Sequence, residues 1–348
     1  MIDESAALKN FEFENNIIEI KDDLFCYDNA QQQALLNQKP WKADPRYFTN
    51  VKVSAKALIK MITHARSGGN IEVMGLLLGK IVDRTMIIVD VFALPVEGTE
   101  TRVNAQAEGN EYMIQYLDQI REVSRNENAI GWYHSHPGYG CWLSGIDVNT
   151  QMLNQQFQEP FLAVVIDPVR SVSAGKVEIG AFRTFPAGFA PTTADSSDFQ
   201  AVPIDKIEDF GVHANQYYPL EITYFKSALD TLVIDQLWSK YWVNTLSQST
   251  LFSNRDFFSR QLQDVQKKIS SATSKIQQRG IARTAAEFYF PESESDIEKR
   301  ENRKKPYYTS ALSKTSEECA KATSEATHAV ISELLKQALF GLPSARSI

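Results

Sequence analysis

The chain has 348 residues, 43% of them apolar, with 36 basic and 43 acidic residues and a net charge of −7. This length predicts about two domains, and the composition is that of a globular chain with a sizeable core. The acidic excess argues against nucleic acid as the main partner, because phosphate-binding domains usually carry a basic surplus. Cys26, Cys141 and Cys319 lie far apart, which argues against a disulfide framework and a cysteine-rich zinc site and favours a reducing compartment, the cytoplasm and nucleus. We expect neither a signal peptide nor a membrane span, since no apolar run reaches about 18 residues.

The first predicted elements follow a polar N-terminal extension, residues 1–50, which we expect to wrap a core or a partner. A helix comes next and ends at Gly68. Its apolar residues share one face and are Ala57, Leu58, Met61, Ile62 and Ala65. Residues 72–79 and 86–92 are apolar runs typical of buried strands, and the polar residues 80–85 between them predict a hairpin turn.

The middle of the chain alternates helical and strand patterns. Residues 112–123 predict a second helix, and residues 129–136 predict a strand that Pro137 ends. A third helix is indicated by a 4-3-4 apolar spacing at Ile146, Thr150, Leu153 and Phe157. Two further strands are predicted at residues 162–166 and 177–185. This mixed order predicts the α/β class, with a mixed sheet flanked by helices.

Beyond residue 220 the pattern becomes rich in helix. Helical segments are predicted at residues 225–246, 257–278 and 308–339, with a charged stretch at 292–305 between the last two. The apolar face of the last segment either packs on this chain's own core or joins a partner helix bundle. The spacing of its apolar residues fits both alternatives equally. We therefore predict three regions: an extension at 1–50, an α/β domain at 51–220 and a helical assembly region at 221–348.

The strongest chemical signal is a pair of histidines, His134 and His136, at the end of the predicted strand. Residues two apart on a strand share a face, so both imidazoles can converge on one point. Zinc favours nitrogen ligands in a tetrahedron, and a catalytic site needs a third protein ligand with the fourth position open. Asp147 can supply that ligand from the first turn of a helix capped by Ser144, because a glycine-containing loop lets the chain turn back over the strand end.

A hydrolase of this kind also needs a base that takes a proton from water and passes it to the leaving amine. Glu72 is our candidate, since a carboxylate at the start of a buried apolar strand is costly without a purpose or a partner. Each feature alone has an ordinary explanation: a surface histidine pair, a plain helix cap, or a solvated strand-edge acid. Their combination at these offsets favours a metal site, whereas Cys141 is better explained as a small packing residue.

At these residues the chain resembles the family of catalytic MPN-domain metalloproteases. Its JAMM motif is matched at every position, by Glu72, His134-Ser135-His136-Pro137, Ser144 and Asp147. The resemblance implies an MPN fold with one zinc ion on His134, His136 and Asp147, and Glu72 as general acid and base. It also implies that Ser144 hydrogen-bonds the developing oxyanion. The implied substrates are isopeptide bonds between a ubiquitin-like C-terminus and a lysine.

Within this family, residues 132–147 resemble both the proteasome-lid deubiquitinases and the catalytic subunits of the COP9 signalosome. Residues 67–70, 93–104, 209–213 and 241–246 look like the signalosome branch. That branch implies removal of the Nedd/Rub modifier from cullins of cullin-RING ubiquitin ligases, and partners that include a second MPN-domain subunit. Two alternatives stay open: a ubiquitin-specific enzyme of the same chemistry, and a non-catalytic scaffold.

The polar segment 98–104 is either a surface loop or a lid over the metal. In the lid hypothesis, Glu100 occupies the open zinc position, Arg102 grips an acidic partner, and Thr101 lies between them. The isolated chain would then be held inactive until assembly or substrate frees the site.

Overall fold

The structure is a computed structural model that describes residues 4–20, 28–97, 102–123, 125, 127–186, 188–189, 202–234, 254–289 and 306–340. The predicted lid residues Glu100 and Thr101 lie outside the described residues, as do residues 241–246 and the charged stretch 292–305. The chain divides into two compact units, Met1–Val202 with Ile207–Ser249 and Pro203–Lys206 with Thr250–Ile348. Within the described ranges, no helix is both long and apolar enough to cross a membrane.

A mixed nine-stranded sheet forms the centre of the first unit as far as it is described. In chain order its strands are β1 (Ile17–Glu19), β2 (Asn50–Ser54), β3 (Val73–Val82), β4 (Thr85–Glu97), β5 (Asn128–Ser135), β6 (Leu162–Asp167), β7 (Glu178–Thr184), β8 (Tyr217–Pro219) and β9 (Glu221–Lys226). They lie side by side in the order β1-β9-β2-β4-β3-β5-β6-β7-β8. Strand β5 pairs antiparallel with β3 and parallel with β6, so both pairing types meet at the strand that carries the histidines. The predicted α/β class with a mixed sheet is confirmed.

Helices cover both faces of this sheet. The described helices of the first unit include α1 (Glu4–Glu14), α2 (Asn29–Gln38), α3 (Ala55–Ser67), α4 (Arg102–Glu122), α5 (Gly145–Phe157), α6 (Pro168–Ala174) and α7 (Ile207–His213). Neighbouring strand residues such as Trp132 and Tyr133 belong to two different apolar clusters, as expected when side chains alternate between sheet faces. The cluster around Tyr133 packs against α3, whose predicted apolar face is buried throughout, and the cluster around Trp132 includes residues of α4 and α5.

Three elements differ from the sequence-based expectation. Arg102, expected in a loop or lid, is the first residue of α4. Phe225, expected to start a helix, lies in β9, which pairs with β1 and β2 at the sheet edge. On α5 the helix prediction is right, yet Leu153 and Phe157 of the apolar stripe are 55% and 75% exposed, whereas Val148 faces the core.

The second unit contains two long helices, α8 (Arg255–Tyr289) and α9 (Pro306–Phe340), which pack against each other. Lys268 of α8 joins them through an ion pair to Glu318 of α9, at 2.7 Å, and also pairs with Asp264 of its own helix, at 2.8 Å. The helical C-terminal region is confirmed. Since β9 places residues 221–226 in the first unit's sheet, that unit extends past residue 220. The functional boundaries at 50 and 220 stay predictions.

Candidate metal centre

His134 and His136 lie at the carboxyl end of β5, in the middle of the sheet. His134 is paired with Met74 of β3 and Val165 of β6. The chain stays extended for one more step, because the backbone N–H of His136 donates to the Ile166 carbonyl at 2.9 Å. Both imidazoles are therefore on one side of the strand, and only 3% of His134 and 2% of His136 is exposed.

The structure brings Asp147 to these two rings. The Nε2 atoms of His134 and His136 are 3.0 Å apart, and Asp147 Oδ2 lies 3.4 Å from the first and 3.6 Å from the second. Atoms bound about 2.0–2.1 Å from a tetrahedral zinc are separated by about 3.3 Å, so this triangle has the dimensions that three zinc ligands require. Two buried imidazoles and one carboxylate aimed at a common point form a donor set that could hold a metal ion.

Asp147 is held in place by the N-terminus of α5. Ser144 caps the helix: its Oγ accepts from the Asp147 backbone N–H at 3.3 Å and donates to Asp147 Oδ2 at 2.6 Å. The Ser144 N–H also donates to Oδ2, at 3.0 Å, which completes a capping box. Burial of Asp147 works against its ionisation, but the two histidines outweigh burial and hold the pKa of the carboxyl well below its usual range. The carboxyl of Asp147 is therefore held in its ionised form, which is the form that binds a metal.

Aromatic rings stack on the two imidazoles and hold their orientation. The indole of Trp132 stacks on His134 with centroids 4.5 Å apart, and the phenol of Tyr139 stacks on His136 at the same separation. Trp132 is itself anchored, since its Nε1 donates to Gln151 Oε1 at 2.8 Å. Within the described chain, Nδ1 of His134 is buried and has no hydrogen-bond partner, so stacking on Trp132, rather than a hydrogen bond to Nδ1, sets the orientation of this ring.

Glu72 precedes β3 and reaches the same region. Strand β3 begins beside the histidines, because the Val73 N–H donates to Ser135 Oγ at 2.9 Å. The Tyr139 hydroxyl donates to Glu72 Oε1, which links the predicted base to the ring that stacks on His136. Burial and the Glu72 carboxylate together raise the pKa of Tyr139, so this phenol stays protonated and remains a donor. Glu72 therefore has a defined orientation near the triad.

The loop after the histidines is tied down by a residue that the sequence did not single out. Gly138 and Gly140 have φ angles of 88° and 92°, which other residues rarely adopt, so both turns depend on glycine. Their backbone N–H groups donate to the two oxygens of Asp167, at 3.0 Å and 2.8 Å. The Gly140 carbonyl in turn accepts from His136 Nδ1 at 3.0 Å.

The predicted ligands, the base and Ser144 thus gather at one end of β5. Arg102 is described only as the start of α4, so the lid hypothesis stays a prediction. Burial raises the pKa of the Cys141 thiol, which makes it a poor nucleophile and fits the packing role expected for it. The sequence analysis missed three residues that support the site, Tyr139, Gln151 and Asp167. The one local clue to such supporting residues was Trp132, which lies two residues before His134 and therefore on the same face of the strand.

Two family models match the sequence. Residues 46–160 match the family described as JAB1/Mov34/MPN/PAD-1 ubiquitin protease. Residues 247–341 match the Cop9 signalosome subunit 5 C-terminal domain. The first match contains every residue of the site apart from Asp167, and the second contains α8 and α9.

Curated relatives cover nearly the whole chain. The COP9 signalosome complex subunit 5 of Dictyostelium discoideum is 55% identical over 96% of this chain and 95% of its own length. Its counterpart in Drosophila melanogaster is 51% identical over 97% and 98%. Subunit 5a of Arabidopsis thaliana is 51% identical over 97% and 92%. With two matching family models and relatives of this identity along its full length, the chain belongs to the COP9 signalosome complex subunit 5 family of JAB/MPN proteins.

Proposed function

We propose that this chain is the zinc-dependent isopeptidase of a COP9 signalosome, and that it removes the Nedd/Rub modifier from cullins. The observation that carries the proposal is the convergence of His134 Nε2, His136 Nε2 and Asp147 Oδ2 within 3.6 Å of one another, all buried at one strand end. Family membership supports the same chemistry. Zinc is the metal we propose, because a tetrahedral two-histidine, one-carboxylate site with an open position is typical of zinc hydrolases.

A bound zinc ion supplies Lewis acidity and an acidified water at neutral pH. The chain supplies the proton transfers: Glu72 accepts the proton of the attacking water on its carboxylate and delivers it to the departing lysine nitrogen. The hydrogen bond from Tyr139 to Oε1 holds this carboxylate in one orientation, which is what a general base needs. General acid–base help of this kind contributes about 10²- to 10⁴-fold.

Ser144 has two duties in this proposal. Its hydroxyl donates to Asp147 Oδ2 at 2.6 Å, so in the absence of substrate it orients the carboxylate. To stabilise the oxyanion of the scissile carbonyl, that hydroxyl has to rotate toward the substrate, while the Ser144 N–H keeps Asp147 in place through its own bond of 3.0 Å. A donor aimed at a developing oxyanion contributes about 10²- to 10³-fold to the rate.

The proposed setting follows from the relatives, whose names place them in the COP9 signalosome. The match of residues 247–341 to that subunit's C-terminal domain supports α8 and α9 as the assembly region. We propose other signalosome subunits, including a second MPN-domain subunit, and neddylated cullin-RING ligases as partners, in the cytoplasm and nucleus.

In the lid hypothesis, Glu100→Ala raises the activity of the isolated chain, and an unchanged basal activity would remove that idea.

The test compares four proteins: wild type, His134→Ala, Asp147→Asn and, as a matched control, His328→Ala. His328 is exposed on α9 and serves as a histidine outside the triad. Zinc content and cleavage of neddylated cullin and of ubiquitin chains are measured for each protein, in the assembled complex and with a chelator. We expect the two ligand variants alone to lose both zinc and deneddylation.

Three outcomes would contradict the proposal. Full cleavage by metal-free His134→Ala removes the metal mechanism. Cleavage of ubiquitin chains without deneddylation establishes the deubiquitinase alternative. A wild-type protein that holds no zinc and cleaves neither substrate establishes a non-catalytic scaffold.

A further inference from the structure

The starting observation is the hydrogen bond that His136 makes away from the triad. Its Nδ1 lies 3.0 Å from the Gly140 carbonyl oxygen. A carbonyl only accepts, so Nδ1 is the nitrogen that donates, and in the neutral imidazole this tautomer leaves the lone pair on Nε2. Nε2 is the atom that faces His134 and Asp147. The position of one carbonyl therefore selects the tautomer of His136 that can bind a metal.

That carbonyl belongs to a loop that Asp167 holds. The Gly140 N–H donates to Asp167 Oδ2 at 2.8 Å, and the Gly138 N–H donates to Oδ1 at 3.0 Å. Both glycines have a positive φ, which glycine adopts without strain and other residues rarely adopt, so the loop can place both N–H groups on one carboxylate. Asp167 is fully buried at the end of β6, so the loop is tied to the strand that pairs with the histidine-bearing strand β5.

The two oxygens of Asp167 have different duties. Oδ1 caps α6 by accepting from the N–H groups of Val169, at 3.0 Å, and Arg170, at 2.9 Å. Oδ2 accepts from Gly140 and lies 3.4 Å from Arg170 Nε. An asparagine or serine caps a helix as well as an aspartate does, so the cap alone does not require a buried carboxylate. The second oxygen, directed at Gly140, is the part that needs one.

We propose that Asp167 is a positioning residue of the metal centre. Its Oδ2 holds Gly140 so that the Gly140 carbonyl accepts from His136 Nδ1, which keeps His136 Nε2 directed at the metal. This relay, carboxylate to backbone amide to carbonyl to imidazole, rests on the metal site of the proposed function. It supplies His136 with the outer-shell partner that metal-binding histidines usually have.

The discriminating variant is Asp167→Asn. Its amide oxygen can keep the Oδ1 bonds to α6 and Gly138, while its NH₂ group faces the Gly140 N–H and cannot accept from it. The matched control is Asp28→Asn, which changes the same atoms at the N-cap of α2, where Asp28 accepts from Ala30 and Gln31. The readouts are the zinc dissociation constant by chelator competition and the visible absorption of the Co²⁺-substituted protein.

We expect Asp167→Asn to bind zinc about 10- to 100-fold more weakly and to change the Co²⁺ spectrum, and Asp28→Asn to do neither. Wild-type affinity and an unchanged spectrum in Asp167→Asn overturn the inference while leaving the proposed function intact. If the wild type itself binds neither metal, the proposed function fails, and the relay fails with it.

A second measurement uses the wild type alone and covers an Asp167→Asn protein that does not fold. Hydrogen exchange at the Gly138 and Gly140 amides is followed by NMR. The bonds to Asp167 predict protection like that of neighbouring strand amides, and exchange at the rate of an open loop overturns the proposal.

Discussion

Asp90 is the site of our most quantitative prediction, because it carries a buried negative charge among several cations. It lies in β4 with 3% of its surface exposed. Lys60 Nζ is 2.7 Å and Arg125 Nη1 is 3.0 Å from its carboxylate, and Lys56 Nζ is 3.5 Å away. The substitution Asp90→Asn keeps the shape of the side chain and removes the charge, so these cations lose a shared partner.

The size of the expected loss in stability depends on the acidic partners that the cations keep after the substitution. Removing one member of a buried ion pair costs about 3–5 kcal/mol, because the other charge is left buried. Here Lys56 keeps Asp230 at 3.5 Å and Arg125 keeps Glu127 at 3.0 Å, which places the cost at the lower end, about 3 kcal/mol. For a unit of this size that loss lowers the melting temperature by about 6–12 °C.

The pH dependence gives the sharper test. Burial by itself raises the pKa of Asp90, but the charges of Lys56 and Lys60 and the hydrogen bonds from Lys60 and Arg125 outweigh it and hold the pKa below its usual range. A carboxyl whose folded pKa lies below its unfolded value of about 3.9 stabilises the fold above that pH. This contribution disappears as the pH falls through the folded pKa. The difference between wild type and Asp90→Asn should therefore be full at neutral pH and shrink below about pH 4.

Chemical denaturation of wild type and Asp90→Asn across this range measures the effect. The control is Asp118→Asn, which breaks an ion pair of 3.4 Å to Arg121 in which both side chains are 64% exposed. Exposed pairs contribute about 0–1 kcal/mol, so the control should stay close to wild type. Equal losses in the two variants, or a difference for Asp90→Asn that persists unchanged at pH 3, would refute the reasoning.

Three further predictions concern the metal centre. Ser144→Ala removes the cap of α5 and the hydroxyl that donates to Asp147, so we expect the free energy of unfolding to fall by about 1 kcal/mol. We also expect kcat to fall about 10²- to 10³-fold, and a wild-type kcat in this variant would contradict the oxyanion role. Gln151→Leu leaves the Trp132 indole N–H buried without its acceptor, so the free energy of unfolding should fall by about 1–3 kcal/mol, and an unchanged denaturation midpoint would show that this bond contributes nothing. Chelation of the wild type should lower its melting temperature, because zinc at 100 times its dissociation constant adds about 2.7 kcal/mol to the free energy of unfolding. Added zinc should restore the melting temperature, and no change with either treatment would exclude a metal bound at the triad.

Local patterns predicted the parts of this protein that local physics decides. Residues two apart on a strand share a face, so the spacing of His134 and His136 was enough to place both rings together. The Ser144–Asp147 capping box is likewise a short-range feature. The apolar face of α3 could be read from its period for the same reason.

Predictions from the spacing of apolar residues failed where residues distant in the sequence decide which side chains are buried. On α5 the spacing identified the helix but suggested the wrong face, because Leu153 and Phe157 are exposed while Gln151 is fully buried under Trp132. The predicted helix at residues 225–246 begins inside strand β9, since a six-residue strand paired on both sides depends on β1 and β2 more than on its own pattern.

By itself, the sequence determined the class of the fold and singled out the candidate donors His134, His136 and Asp147, and its resemblance supplied the chemistry that we propose. Only the tertiary structure decided what orients those donors. Tyr139 meets Glu72 across 67 residues of chain, and Asp167 meets Gly140 across 27, and neither contact leaves a mark on local periodicity. The physical reason is that a ligand's identity is a property of one residue, whereas its direction and protonation depend on neighbours that only the packed sheet brings together.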